Sequence, residues 1–204
     1  MVELELKSLS ELEYEANKLR KKIEESVTIP DQRKPKVLFR GQSNHKWELE
    51  TTLERYAKDR KYSLQDYNGL LKSIAPAITS FTGKTLEITE PNDSNKFCFS
   101  PPSYQSMSYV RHLGFPSPLI DWSQSLYVAL FFAFNGCCDS DKVSIYAYIP
   151  HLGGGTSGWV GVPKIEELGP YISNTHKRHF TQQSQYTMSV KKDGINWVYC
   201  THEE

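Results

Sequence analysis

Apolar residues recur at steps of three and four at Leu9, Leu12, Ala16, Leu19 and Ile23, behind a Ser8-Leu9-Ser10-Glu11 capping-box pattern. That spacing predicts an amphipathic helix from Leu9 to Glu25. Thr28–Lys36 is a polar, Pro-bounded loop. Val37-Leu38-Phe39 reads as a short buried strand that delivers Arg40 into a turn at Gly41. Ser63-Leu64-Gln65-Asp66 opens a second helix, whose apolar face runs through Leu64, Tyr67, Leu70, Leu71, Ile74, Ile78 and Phe81. Pro76 should kink it and Gly83 should cap it. Thr85–Phe97 is polar and expected to be mobile. Ser100-Pro101 starts a third helix, with Pro in the first turn, and Gly114 ends it. Leu126–Phe134 is apolar on nearly every side and predicts a central buried helix, capped by Asp121 or Ser123 and running to Asn135-Gly136.

The pattern changes in the C-terminal third. Val143, Ile145, Ala147 and Ile149 alternate as a strand does. Gly153-Gly154-Gly155 lacks the Gly-Lys-Ser/Thr ending of a phosphate-binding loop and reads as a connection. Pro163–Leu168 suggests a short helix. Tyr186-Thr187-Met188-Ser189-Val190 and Ile195–Tyr199 flank Lys192-Asp193-Gly194 as a hairpin. The fold class is α+β: a single domain with N-terminal helices around a buried central helix. Its mainly antiparallel sheet comes from the C-terminal third plus the strand from Val37 to Arg40. Residues 1–30 form a helical segment and residues 37–190 a motif-bearing core.

Composition narrows the function. At 204 residues the chain can bury a core without disulfides or metal. Lys plus Arg equals Asp plus Glu at 24 each, so capture of nucleic acid would need a local basic patch. Twelve Tyr, nine Phe and four Trp supply either core or a stacking surface for bases. Cys98, Cys137, Cys138 and Cys200 contain no Cys-x-x-Cys pair, so no metal site is expected, and a reduced, cytoplasmic setting fits. The N-terminus is acidic and alternating, unlike a signal peptide. Leu126–Phe134 is too short to span a bilayer, so no membrane partner is expected.

Four constellations carry candidate chemistry. In Phe39-Arg40-Gly41-Gln42-Ser43, Arg40 at the end of a buried strand needs an anionic partner. That partner is either a ligand phosphate or carboxylate, or a structural carboxylate such as Asp121. Gly41 permits a sharp turn or a close approach, and Gln42 follows it. Arg55 ends the acidic stretch from Trp47 to Glu54, either as a surface ion pair or as a second anion contact. In Arg111–Ser123, His112 is a proton carrier or a satisfied core histidine. Asp121 caps a helix or orients Arg40 or His112, Trp122 anchors the loop, and Ser123 is a further cap. Arg178-His179-Phe180-Thr181-Gln182-Gln183-Ser184-Gln185-Tyr186 brings amide side chains, Gln182 first, to the head of a late strand. No Gly-x-Ser-x-Gly elbow supports serine hydrolysis.

The ordered set of these motifs resembles an FRG domain, named for its Phe-Arg-Gly motif, from about Leu9 to Val190. The residues are Phe39-Arg40-Gly41-Gln42, Trp47, Leu49, Arg55, His112-x-Gly114-x-Pro116, Leu119-x-Asp121-Trp122-Ser123, Ala129–Ala133 and Arg178-x-x-x-Gln182 before Tyr186. Against the family's usual pattern, Arg111 stands for Gln, Pro118 for Arg, and Ser117 and Ser123 for Thr. Loss of the Arg at Pro118 removes a cation. The resemblance implies a bacterial or phage-related protein, with some members in defence systems. A weaker similarity, to arginine-type ADP-ribosyltransferases, implies an arginine that grips the phosphates of NAD, here Arg40, with NAD as the cofactor to test. Their late Glu-x-Glu is Gln183-Ser184-Gln185 here, and Gln cannot offer a full negative charge to an oxocarbenium-like transition state.

Three functions therefore stand open. One is a nucleotide- or nucleic-acid-directed, ADP-ribosyltransferase-like enzyme with His112, Asp121 and Gln182 at the reacting centre. The second is a binding module in which Arg40, Gly41, Gln42, Arg55, Trp122 and Ser123 hold a phosphate-bearing small molecule or nucleic acid without turnover. The third is an interaction module with a protein partner.

Overall fold

The computed structural model describes residues 2–26, 36–58, 60–90, 103–136, 140–149, 163–169 and 181–202. In chain order the elements are α1 (Leu9–Ser26), β1 (Leu38–Gln42), α2 (Thr52–Ala57), α3 (Leu64–Thr82), α4 (Tyr104–His112), β2 (Ile120–Ser123), α5 (Leu126–Phe134), β3 (Ser144–Tyr148), β4 (Lys164–Leu168), β5 (Ser184–Asp193) and β6 (Asn196–Tyr199). This is an α+β fold, and its strand registers are antiparallel. The chain forms two compact units, each assembled from separated stretches. The first joins Met1–Lys46 to Trp122–Gly155, and the second joins Trp47–Asp121 to Thr156–Glu204.

In the first unit β1 lies beside β3, from Leu38 opposite Tyr148 to Gln42 opposite Ser144, and Phe39 pairs with Ser123 of β2. Arg40 is therefore mid-strand, opposite Tyr146, and the expected turn at Gly41 is absent: cross-strand pairing carries the chain through Gln42. Ala16 and Ile23 of α1, Val37, Phe39, Leu126 and Ala129 form the core here. Gly41 lets α5 rest on β1. A Cβ there would sit 1.9 Å from the Ala129 carbonyl oxygen.

That close approach corrects the reading of α5. The helix is not buried on most sides: Tyr127, Phe131, Phe132 and Phe134 are exposed, while Leu126, Ala129 and Ala133 are buried. Backbone-to-backbone packing selects small residues for the inner face and leaves the large aromatics outside, which hydropathy alone does not distinguish. Nor do Asp121 or Ser123 cap this helix. Both lie in β2, where a loop was expected, and the cap is Ser125, whose Oγ accepts from Val128 N at 3.4 Å.

The second unit has a core of Leu53, Leu64, Tyr67, Leu71, Met107, Val110, Leu119, Tyr186, Met188, Val190 and Trp197, among others. α3 begins with a Ser63/Asp66 capping box and ends at left-handed Gly83, as its sequence requires. Phe81, expected on its apolar face, is exposed. The helix runs through Pro76. β5 and β6 form the expected hairpin, Asp193 opposite Asn196, with Gly194 at φ 61°. Lys164–Leu168 is a strand and not a helix: pairing from Lys164–Val190 to Leu168–Tyr186 overrides its local apolar spacing. Thr85–Glu90 is coil but tied down. Thr89 and Ser103 exchange two backbone-to-side-chain hydrogen bonds, and Leu86 is buried.

Several sequence expectations lie outside the described residues. They are the loop of residues 28–35, the end of the polar segment at Phe97, the helix start at Ser100-Pro101, the Gly153–Gly155 connection, Arg178-His179, and Cys98, Cys137 and Cys138.

Candidate functional site

Residues three, four and seven apart share a helix face. On α4, Tyr104, Ser108, Arg111 and His112 therefore make one polar stripe. Met107 and Val110, between them, are fully buried in the core. The helix starts at left-handed Ser103, φ 57°, which the Thr89 bonds hold in place. It ends where Gly114 adopts φ 87°. The stripe brings together residues from four other parts of the second unit.

Arg111 is the centre. Its Nε donates to Asp121 Oδ1 at 2.6 Å, its Nη2 donates to Asp121 Oδ2, and its Nη1 donates to Thr52 Oγ1 at 3.2 Å. Thr52 opens α2 and uses its whole hydrogen-bonding capacity. Its hydroxyl also accepts from Ser117 N at 2.9 Å and donates to Ser117 O at 3.2 Å. The Gly-Phe-Pro-Ser-Pro turn is thereby fixed to α2. Tyr67 of α3 holds the same turn, donating to Pro116 O at 2.9 Å. Burial alone would lower the Arg111 pKa, but the Asp121 carboxylate beside it more than offsets this, and the net shift is upward.

His112 Nε2 and Tyr186 Oη share a hydrogen bond of 3.2 Å. Tyr186 projects from β5 and is fully buried. Its phenol is pushed up to about 12, first by burial and then by the negative charge of Asp121. Tyr104 meets Tyr186 edge-on, with ring centroids 6.2 Å apart.

Of the residues expected at a reacting centre, the structure gathers His112 and Asp121 around Tyr186 and Arg111. Gln182 lies half-buried in the turn before β5, next to Gln183 at φ 48°. Arg55 is exposed near the end of α2. Arg40, Gly41 and Gln42 belong to β1 in the first unit, where Gln42 is buried. Trp122 and Ser123 belong to the same unit: the Trp122 ring packs 5.5 Å from that of Tyr148, and Ser123 Oγ accepts from Ser125 N at 3.0 Å.

Sequence reasoning missed Arg111, Thr52, Ser117 and Tyr186 as members of this cluster. A signal was present for Arg111: it falls at the helical interval of three from Ser108, beside His112 and before a lone Asp. Thr52 and Tyr186 carried none, because their partners are 59 and 74 residues away. No group of His, Cys, Asp and Glu among the described residues could hold a metal ion. No helix there is long and apolar enough to cross a membrane.

The family model described as FRG domain matches residues 35–142 of the chain. No curated protein and no solved structure matches it.

Proposed function

The chain belongs to the FRG-domain family, and on that premise we propose that it is a binding module for a phosphate-bearing ligand, a nucleotide or a nucleic-acid segment, and not a transferase. The observation that carries this reading is the state of Asp121. Both of its oxygens are engaged by Arg111. Transfer of an ADP-ribosyl group needs negative charge beside an oxocarbenium-like centre. A carboxylate already neutralised by a guanidinium offers little, and Gln183-Ser184-Gln185 adds no charge.

Arg40 is the residue assigned to the phosphate. Guanidinium is always charged and presents a planar fork, and Arg40 is half-buried on β1. With a net charge of zero there is no global field to draw polyanions, so affinity rests on a few local contacts and its salt dependence should be shallow.

The test is calorimetric titration of the full chain with pyrophosphate, NAD, ATP and short oligonucleotides, with NAD consumption followed in parallel. Binding without consumption supports the reading, as does a loss of affinity in Arg40→Lys at unchanged melting temperature. Consumption of NAD replaces it with the transferase. If none of the probes binds at millimolar concentration, the interaction module takes its place. That second reading is favoured by the exposed aromatics Tyr127, Phe131, Phe132 and Phe134 of α5.

A further inference from the structure

Along α5 the outward positions follow one another at intervals of four and three: Tyr127, Phe131 and Phe134. They form one stripe on the helix, with Phe132 at its flank. All four rings are between 45 % and 69 % exposed, while Leu126, Ala129 and Ala133 on the opposite side are buried. The core of the first unit is thus closed without them. A fully exposed aromatic side chain presents about 200 Å². At their exposures the four rings together leave about 500 Å² in water. A patch of about 300–600 Å² is the largest that an ordinary monomer shows, and it is often an interaction site.

The rings are also held in place. Tyr127 Oη donates to Glu13 Oε1 of α1 at 2.6 Å, and Phe131 and Phe132 meet edge-on with centroids 5.5 Å apart. A side chain that is already fixed loses less freedom when a partner covers it. Arg20 of α1 lies within electrostatic reach of the Tyr127 phenol. The rim beside the stripe therefore carries one acid and one base, Glu13 and Arg20.

These features select the occupant. α5 carries no charged residue, whereas a helix that lies on a lipid surface sets Lys and Arg beside its apolar face. The rim is balanced and gives an anionic surface no net attraction. A specific interface buries about 1,000 Å² or more in total. One stripe supplies about half of that, and a second copy supplies the other half from the same residues. The formal net charge is zero, so copies do not repel one another at long range. An acid beside a base is complementary to its own image across a two-fold axis.

We propose that α5 is the seam of a homodimer in which two copies pack their Tyr127, Phe131 and Phe134 stripes antiparallel about a two-fold axis. Phe131, in the middle of the stripe, lies at the axis and faces its own mate. The proposal rests on the second reading of the α5 face, to which it gives a partner, and on no residue assigned to phosphate.

Sedimentation velocity of the full chain, across micromolar to submillimolar concentrations, should show a monomer–dimer equilibrium. Phe131→Glu and Phe131→Lys each set like charges against one another at the axis. Each should raise the dissociation constant by at least about tenfold. An equimolar mixture of the two should restore the dimer. Phe134→Glu, at the end of the stripe, should weaken association less. Melting temperatures at the lowest concentration, where the wild type is monomeric, should stay close to the wild-type value, because the substituted rings face water. The proposal is overturned if the wild type stays monomeric throughout, if both Phe131 variants associate like the wild type, or if their mixture stays monomeric. A monomeric chain that still binds pyrophosphate overturns the dimer alone, since Arg40→Lys tests the phosphate reading independently.

Discussion

Arg111 grips both oxygens of Asp121, and the two ends of this pair sit in unequal environments: the Arg111 side chain is 12 % exposed and that of Asp121 42 %. Removing one partner from a fully buried pair costs about 3–5 kcal/mol, most of it the cost of the charge left behind. Here water screens the more exposed end. Asp121→Ala, which strands a buried guanidinium, should therefore cost about 1–3 kcal/mol. Arg111→Met strands a carboxylate that reaches water and should cost less than half as much. Urea unfolding of the two variants gives the order directly, and equal losses would show that the environments are not unequal.

Two glycines should respond to alanine with opposite signs. At Gly41 the new Cβ would meet the Ala129 carbonyl oxygen at 1.9 Å and the Ala133 nitrogen at 2.8 Å, both backbone atoms that cannot rotate away. Gly41→Ala must push α5 off β1, at a cost of about 3 kcal/mol or more. At Gly69, exposed on α3, nothing lies within 4 Å. Gly69→Ala should stabilise by about 0.5–1 kcal/mol through helix propensity. Melting temperatures of the pair test the packing of α5 on β1.

The cap of α5 belongs to Ser125. Ser125→Ala should cost about 1 kcal/mol and Ser125→Gly only a few tenths. Ser123→Ala instead loses the bond to Ser125 N, one step earlier. Thermal melts that rank Ser123→Ala well above Ser125→Ala would return the cap to Ser123.

The parts of this fold that the sequence made legible are those set by local chemistry. The helix at Leu9, the capping box at Ser63, the left-handed cap at Gly83 and the Asp193-Gly194 hairpin each depend on residues within a few positions of one another. What misled was long-range. Lys164–Leu168 carries a helical spacing, yet its partner strand, near Val190, makes it β4. α5 is apolar throughout, so hydropathy could not say which side faces inward; the glycine at 41, close in space and distant in sequence, decides it. The candidate cluster divides in the same way. His112 and Asp121 stand out because polar groups beside an apolar run attract notice. Thr52 and Tyr186 look ordinary until the fold sets them against α4.

Four buried phenols make stability sensitive to alkali. Burial is the main cause in each of Tyr67, Tyr104, Tyr186 and Tyr199, and all four are shifted upward from the ordinary value near 10. For Tyr186 the folded value is about 12. A raised folded pKa means that the unfolded chain releases its proton first. The stability contributed by the neutral phenol is thus fully present below about pH 10 and is lost as pH rises through about 12. The urea midpoint should fall across that window, and phenolate absorbance from the buried set should appear together with unfolding. Tyr186→Phe removes one titrating group and should flatten the fall, while leaving His112 without the 3.2 Å bond it now makes to the phenol. If Tyr186 ionised reversibly near pH 10 with the fold intact, the phenol would have to be open to solvent, and the arrangement of His112, Asp121 and Tyr186 described above would be wrong.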